Sequence, residues 1–117
     1  MLITVCKSKI HRAIVTGGDA NYEGSITIDP ILIKKADLIP YEKVQVANVS
    51  NGNRFETYVI EGKKGAGEII LNGAAAHKGK AGDIVIIIAY AHLEKKKAKK
   101  FKPSLVYVDS QNRPIKK

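Results

Sequence analysis

The Gly24-Ser25 bond, leading straight into the β-branched run Ile26-Thr27-Ile28, carries the makings of an intramolecular acyl shift. A serine hydroxyl lies next to the carbonyl of the residue before it, and glycine in that preceding position admits backbone angles that a side chain would resist. Attack of the Ser25 hydroxyl on the Gly24 carbonyl turns the amide into an ester. β-Elimination opens that ester, and hydrolysis of the resulting dehydroalanine leaves a pyruvoyl ketone at the new amino terminus. A Gly-Ser turn ahead of a strand is the plainer reading, and on the dipeptide alone it outweighs the first.

Other familiar chemistries find less support. The stretch Gly62-Lys63-Lys64-Gly65-Ala66-Gly67 lacks the spacing and the Lys-Ser/Thr ending of a phosphate-binding loop, and reads better as a glycine-rich strand connection. His11, His77 and His92 have no carboxylate or cysteine companions at metal-ligand spacing, which argues against zinc. Neither an Asp-Thr/Ser-Gly signature nor a Gly-x-Ser-x-Gly elbow occurs. What remains is a set of cations, hydroxyls and an amide to be gathered about the Gly-Ser bond: Lys9, His11, Tyr22, Arg54, Thr57, Tyr58 and Asn72.

The elements that must position these groups are mostly strands. β-Branched residues dominate 2–6, 10–16, 25–28, 43–49, 55–60, 68–71, 84–91 and 104–108, with Gly, Asn and Pro between them. Many short strands so punctuated predict a barrel or sandwich. Asn51-Gly52 is the strongest hairpin signal, as a type I′ turn. Asp29 as N-cap and Pro30 in the first helical position open a short helix through residue 36, and a second helical turn is expected over 73–78. The class is therefore mainly β with short helical connections. The run Ile84-Val85-Ile86-Ile87-Ile88-Ala89-Tyr90 does not alternate, which predicts burial on both faces. Either a central strand of one core or a barrel wall covered by another subunit would satisfy it.

The 117 residues suit one domain, 1–117, with one small core, and 44% of them are hydrophobic without any 20-residue apolar run, so a soluble protein with no membrane span is expected. The first residues reach Lys7 before an apolar signal region forms, and Cys6 is the only cysteine. A cytoplasmic location without a disulfide framework follows as an expectation. The net charge is +9, of which +5 lies in residues 94–102, where six lysines meet one glutamate. That run lacks arginine and interleaved aromatics, so a solvated lysine face is favoured over nucleic-acid binding.

The sequence resembles the aspartate 1-decarboxylase family. The likeness runs through Lys9-Ile10-His11-Arg12, Asn21-Tyr22-Glu23-Gly24-Ser25-Ile26-Thr27-Ile28-Asp29, Asn51-Gly52-Asn53-Arg54-Phe55-Glu56-Thr57-Tyr58, Asn72-Gly73-Ala74-Ala75-Ala76 and Gly82-Asp83-Ile84-Val85-Ile86-Ile87, and takes in Lys102-Pro103. Each block alone is weak, but their joint occurrence with consistent spacing is specific. The resemblance implies a double-psi β-barrel, a homotetramer with sites between subunits, and decarboxylation of L-aspartate to β-alanine for pantothenate synthesis. It also implies a proenzyme that cuts itself between Gly24 and Ser25, leaving a small chain, 1–24, and a large chain, 25–117, headed by a covalent pyruvoyl cofactor. Whether a maturation helper protein takes part is open.

Roles follow from the same resemblance. The pyruvoyl group derived from Ser25 would form a Schiff base with aspartate and accept the electrons released with carbon dioxide. Tyr58 would protonate the α-carbon. Arg54, with its bidentate fork, and Lys9, as a second positive charge, would hold the carboxylate that aspartate keeps. Thr57 corresponds to the family residue that hydrogen-bonds near Gly24 during processing. Asn72, Gly73, Ala74 and Ala75 would offer N–H groups to substrate or to the pyruvoyl amide, with His11 and Tyr22 supporting Lys9 and the cleavage loop. Taken outside the family, most of these residues also suit packing or a solvated surface. Strand periodicity adds a constraint: Arg54, Glu56 and Tyr58 share one face of a regular strand and Thr57 the other, so either a bulge or a second subunit must bring them together. Two competing readings are a basic nucleic-acid-binding barrel and a noncatalytic barrel that keeps its Gly-Ser bond.

Overall fold

The computed structural model describes residues 1–116. Its longest strand, β1 (Leu2–Ile14), runs antiparallel to β7 (Ile84–Glu94), and β7 in turn pairs with β4 (Lys43–Asn48). From β4 the hydrogen bonding passes antiparallel to β5 (Arg54–Glu61), then parallel to β3 (Ser25–Ile28), then antiparallel to β6 (Ile69–Asn72). β6 pairs in parallel with β2 (Gly17–Asp19). Because β2 follows β1 across Val15 and Thr16 alone, this chain of pairings returns to the strand on which it began. The result is a ring of six staves, one of them the bent β1–β2 segment. β8 (Ser104–Val108), parallel to β1, and β9 (Pro114–Ile115), antiparallel to β8, lie outside it.

The expected mainly β class with short helical connections is what the structure has. β1 joins two runs that the sequence pattern separates, because register shifts between Cys6 and Ser8 and between Ile10 and Ala13 absorb the irregular stretch. Arg12 sits in the left-handed region at φ 61° beside the second shift, as a bulge requires. The ring is filled by alternate residues: Ile10 of β1, Ile26 and Ile28 of β3, Val44 and Val46 of β4, and Val85 and Ile87 of β7 are all fully buried. The other face of β7 is less enclosed than its composition predicts. Ile84, Ile86 and Ile88 are only half-buried in a single chain, and Tyr90 is exposed.

The helix α1 (Pro30–Lys35) starts as expected, with the Asp29 carboxylate accepting from Ile31 N at 2.9 Å. The same carboxylate also accepts from Gly65 N at 3.1 Å and Gly67 N at 2.8 Å, tying the glycine-rich β5–β6 connection to the end of β3. Burial pushes the Asp29 carboxyl up, but the three backbone N–H donors and nearby Lys64 outweigh it and hold the carboxyl below its ordinary value. The expected turn over 73–78 is a 3-10 helix, Gly73–His77. Within the lysine-rich run a four-residue helix, α2 (Lys95–Ala98), buries nothing. No described helix is long and apolar enough to cross a membrane.

The β4–β5 hairpin forms, but not with a type I′ turn. Asn48 N donates to Asn53 O at 2.8 Å and Gly52 N to Asn48 O at 2.8 Å, closing a four-residue loop in which Gly52 is left-handed at φ 80° and Asn51 is not. The reason lies in the Asn48 side chain, whose Oδ1 accepts from Ser50 N at 2.9 Å while Nδ2 donates to Asp83 Oδ2 at 3.0 Å. That buried amide fixes the loop from inside the barrel.

Candidate active site

Ser25 opens β3 between two neighbours. Antiparallel pairing sets it opposite Asn72 of β6, and the parallel register that matches Ile26 with Val59 brings Ser25 level with Tyr58 and Gly24 level with Thr57 of β5. Ser25 is 1% exposed, whereas Glu23 and Gly24 just before it are exposed. Its Oγ donates to Glu23 O at 3.0 Å and accepts from Asn72 Nδ2 at 3.1 Å. The second N–H of the Asn72 amide goes to Thr27 Oγ1 at 2.9 Å.

Glycine is needed here at a different position from the one the sequence suggests. Gly24 is not in the left-handed region, and a Cβ added to it would meet nothing within 4 Å. Gly73 is the constrained residue. Its φ is 66°, and a Cβ there would lie 2.7 Å from Gly24 Cα and 2.8 Å from Gly24 N. Only a residue without a side chain lets the first turn of the 3-10 helix press against the Gly24 backbone.

Beside this contact is a cavity of about 330 Å³ bordered by Gly24, Thr57, Tyr58, Asn72, Ala74 and Ala75. No register shift interrupts β5, so Thr57 and Tyr58 still point to opposite faces. Both border the cavity because β5 pairs with β4 through Arg54–Tyr58 and meets β3 only from Val59 onward. The edge facing Gly24 is thus unpaired along Thr57 and Tyr58, and an edge is reached from both faces. The Tyr58 ring packs on Tyr41, centroids 5.9 Å apart. Lys78, which no motif singles out, also lines the cavity, its carbonyl receiving the side-chain amides of Asn48, Asn51 and Asn53. Its signal in the sequence is only its nearness to the 73–76 block.

Lys9, His11, Arg54 and Tyr22 do not line this cavity within one chain, and neither do Ser25 and Gly73, whose chain neighbours Gly24, Asn72 and Ala74 do. Lys9 lies on β1 between Ile88 and Leu105, and His11, two residues on, packs edge-on to Tyr107 with centroids 5.8 Å apart. Arg54 is exposed at the start of β5, opposite Ala47. Tyr22 is 53% exposed and borders a separate cavity with Gly17, Asp19 and Asn72. A single chain therefore assembles the scissile bond, Thr57, Tyr58, Asn72 and the small residues, but not Arg54 and Lys9.

The groups around Ser25 fit the acyl shift that would precede a ketone at that position. Asn72 already aims an N–H at the Ser25 side-chain oxygen, and Gly73 keeps the approach to residue 24 free of side chains. The family model for aspartate decarboxylase matches residues 1–115. The chain is similar to the aspartate 1-decarboxylase of Thermoanaerobacter pseudethanolicus, 56% identical over 109 residues, which are 93% of each chain. It is likewise 55% identical to that of Leptospira biflexa over 117 residues, 99% of each, and 56% identical to that of Campylobacter curvus over the full length of both. A match across nearly the whole chain, including every block that borders the cavity, means that the protein belongs to the aspartate decarboxylase family.

Proposed function

We propose that the protein is a proenzyme that cuts itself between Gly24 and Ser25 and then decarboxylates L-aspartate to β-alanine and carbon dioxide, supplying β-alanine for pantothenate in the cytoplasm. The observation that carries this reading is the buried Ser25 hydroxyl, held by Asn72 at 3.1 Å, at a scissile bond bordering the cavity lined by Thr57 and Tyr58. In the acyl shift a bond forms between Ser25 Oγ and the Gly24 carbonyl carbon while the C–N bond breaks, freeing the amine. Elimination then breaks the Ser25 Cβ–Oγ bond and releases the Gly24 carboxylate, and hydrolysis expels ammonia to leave the ketone. Thr57, bordering the same cavity as Gly24, is suited to donate to the carbonyl oxygen as it turns tetrahedral.

When formed, the pyruvoyl group supplies an electron sink for the charge left by departing carbon dioxide. The chain's own residues do the rest. Tyr58 carries a hydroxyl suited to return a proton to the α-carbon. Asn72 and the backbone of Gly73, Ala74 and Ala75 fix the substrate by hydrogen bonds, and the small side chains allow close approach. Arg54 and Lys9, which do not line the cavity of their own chain, would serve a neighbouring copy's cavity in a homotetramer. The half-buried isoleucines of β7 offer apolar surface for such an assembly. The six-stave ring is compatible with a double-psi barrel, and His11 and Tyr22 would support the substrate cations and the cleavage loop.

Intact-mass spectrometry tests the reading. The mature protein should give fragments 1–24 and 25–117, the larger resistant to Edman sequencing until its ketone is converted. A fully active preparation consisting of one uncut chain would overturn it.

A further inference from the structure

β3 has period two, so Ile26 and Ile28 enter the core while Ser25 and Thr27 share the opposite face. Across from them Asn72, 3% exposed, spends both N–H bonds of one amide, on Ser25 Oγ at 3.1 Å and on Thr27 Oγ1 at 2.9 Å. An amide placed this way is two-sided: turned over, it would aim a carbonyl oxygen rather than an N–H at Ser25. The two ends make opposite demands on the Ser25 hydroxyl. With N–H facing it, the Ser25 proton stays on Glu23 O at 3.0 Å and the oxygen keeps a lone pair for the neighbouring carbonyl. With the carbonyl facing it, the hydroxyl proton would turn to Asn72 and leave Glu23.

We propose that Thr27 is a positioning residue for self-cleavage: its hydroxyl, by accepting the second Asn72 N–H, anchors the amide in the orientation that presents an N–H to Ser25. The inference rests on the maturation reading above. Removing the acceptor leaves a buried N–H unmatched, and rotation of the amide then relieves the mismatch at the expense of the Ser25 geometry. Thr27 also packs its γ-methyl where a Cβ on Gly62 would lie 2.7 Å away, so a plain packing role is the alternative to be separated.

The two roles part cleanly by substitution. Thr27→Val keeps the branched shape and loses the hydroxyl, whereas Thr27→Ser keeps the hydroxyl and loses the methyl. The freshly purified, full-length chains are incubated and the cleaved fraction followed by intact mass, with Ser25→Ala as the uncleavable control. Thr27→Val should cleave about tenfold more slowly than the parent, the equivalent of ~1.4 kcal/mol in the barrier, and Thr27→Ser within roughly twofold. Should Thr27→Val misfold on thermal analysis, Thr27→Ala takes its place, since it differs from Thr27→Ser by the hydroxyl alone. Cleavage of the hydroxyl-free variant at the parental rate, or a Thr27→Ser variant as slow as it, overturns the inference while leaving self-cleavage intact. A parent chain that never cleaves, or a Ser25→Ala chain that does, overturns the maturation reading and this inference with it.

Discussion

Replacing Gly73 by alanine should be among the most damaging single-methyl changes available to this protein. Two costs add. An L-residue held at φ 66° is in the left-handed region, worth about 1–2 kcal/mol against any residue with a Cβ. The new Cβ also arrives 2.7 Å from Gly24 Cα and 2.8 Å from Gly24 N, atoms of the main chain that cannot swing aside as a flexible side chain would. Overpacking of that kind costs about 1–3 kcal/mol, so the total is roughly 2–5 kcal/mol. Gly52→Ala is the matched control, because φ is 80° there and a Cβ meets nothing within 4 Å. It should cost only the conformational part, about 1–2 kcal/mol. Urea unfolding of both variants in a Ser25→Ala background, at one protein concentration, keeps the chain whole and the association term fixed. Equal losses in Gly73→Ala and Gly52→Ala would refute the contact between the 3-10 helix and the Gly24 backbone as the reason for glycine at 73.

Arg54→Lys should leave self-cleavage intact and lower kcat/KM by roughly tenfold to over a hundredfold, the 1.5–3 kcal/mol typical of a hydrogen bond to a charged group; an unchanged kcat/KM in the cleaved variant removes Arg54 from the substrate site. Asp29 has its folded-state value lowered from 3.8, so its contribution to stability is present above that value and is lost as pH falls through the folded one. Asp29→Asn should accordingly be less stable at pH 7 and show a flatter decline below about pH 4. Denaturant midpoints of parent and variant across that range decide it, and parallel curves would count against the carboxylate.

What the sequence makes legible is what depends on near neighbours. Asp29-Pro30 starts a helix because cap and first turn lie within four residues, and the alternating valines of β4 face inward as their spacing requires. Distant partners are another matter. Asn51-Gly52 has the local chemistry of a two-residue turn, yet Asn48, bonded to Asp83 thirty-five positions away, draws the loop into a longer form. Glycine 24 invites attention for its place beside serine, while the steric demand sits at Gly73, visible only once β6 lies against β3. The site divides in the same way. Thr57, Tyr58 and Asn72 converge because β5 and β6 flank β3, but the family pattern that groups Arg54 and Lys9 with them says nothing of which surface each occupies in one chain.

The bent β1–β2 segment that closes the ring ends just before the Gly24-Ser25 bond, so a cut there would turn one stave into a separate peptide without opening the wall. β1 is zipped to β7 over most of its length and to β8 beside it, and β2 is held by β6, so the severed piece stays in register. The thermodynamics of the molecule change all the same. An uncut chain re-forms its own barrel by a first-order process, before any association of copies, whereas a cut one, once denatured, must first find its missing stave by collision, so that barrel formation itself depends on dilution. Maturation would thereby make folding a one-time event, with the finished barrel preserved afterwards by the slowness of its unfolding rather than by its ability to re-form.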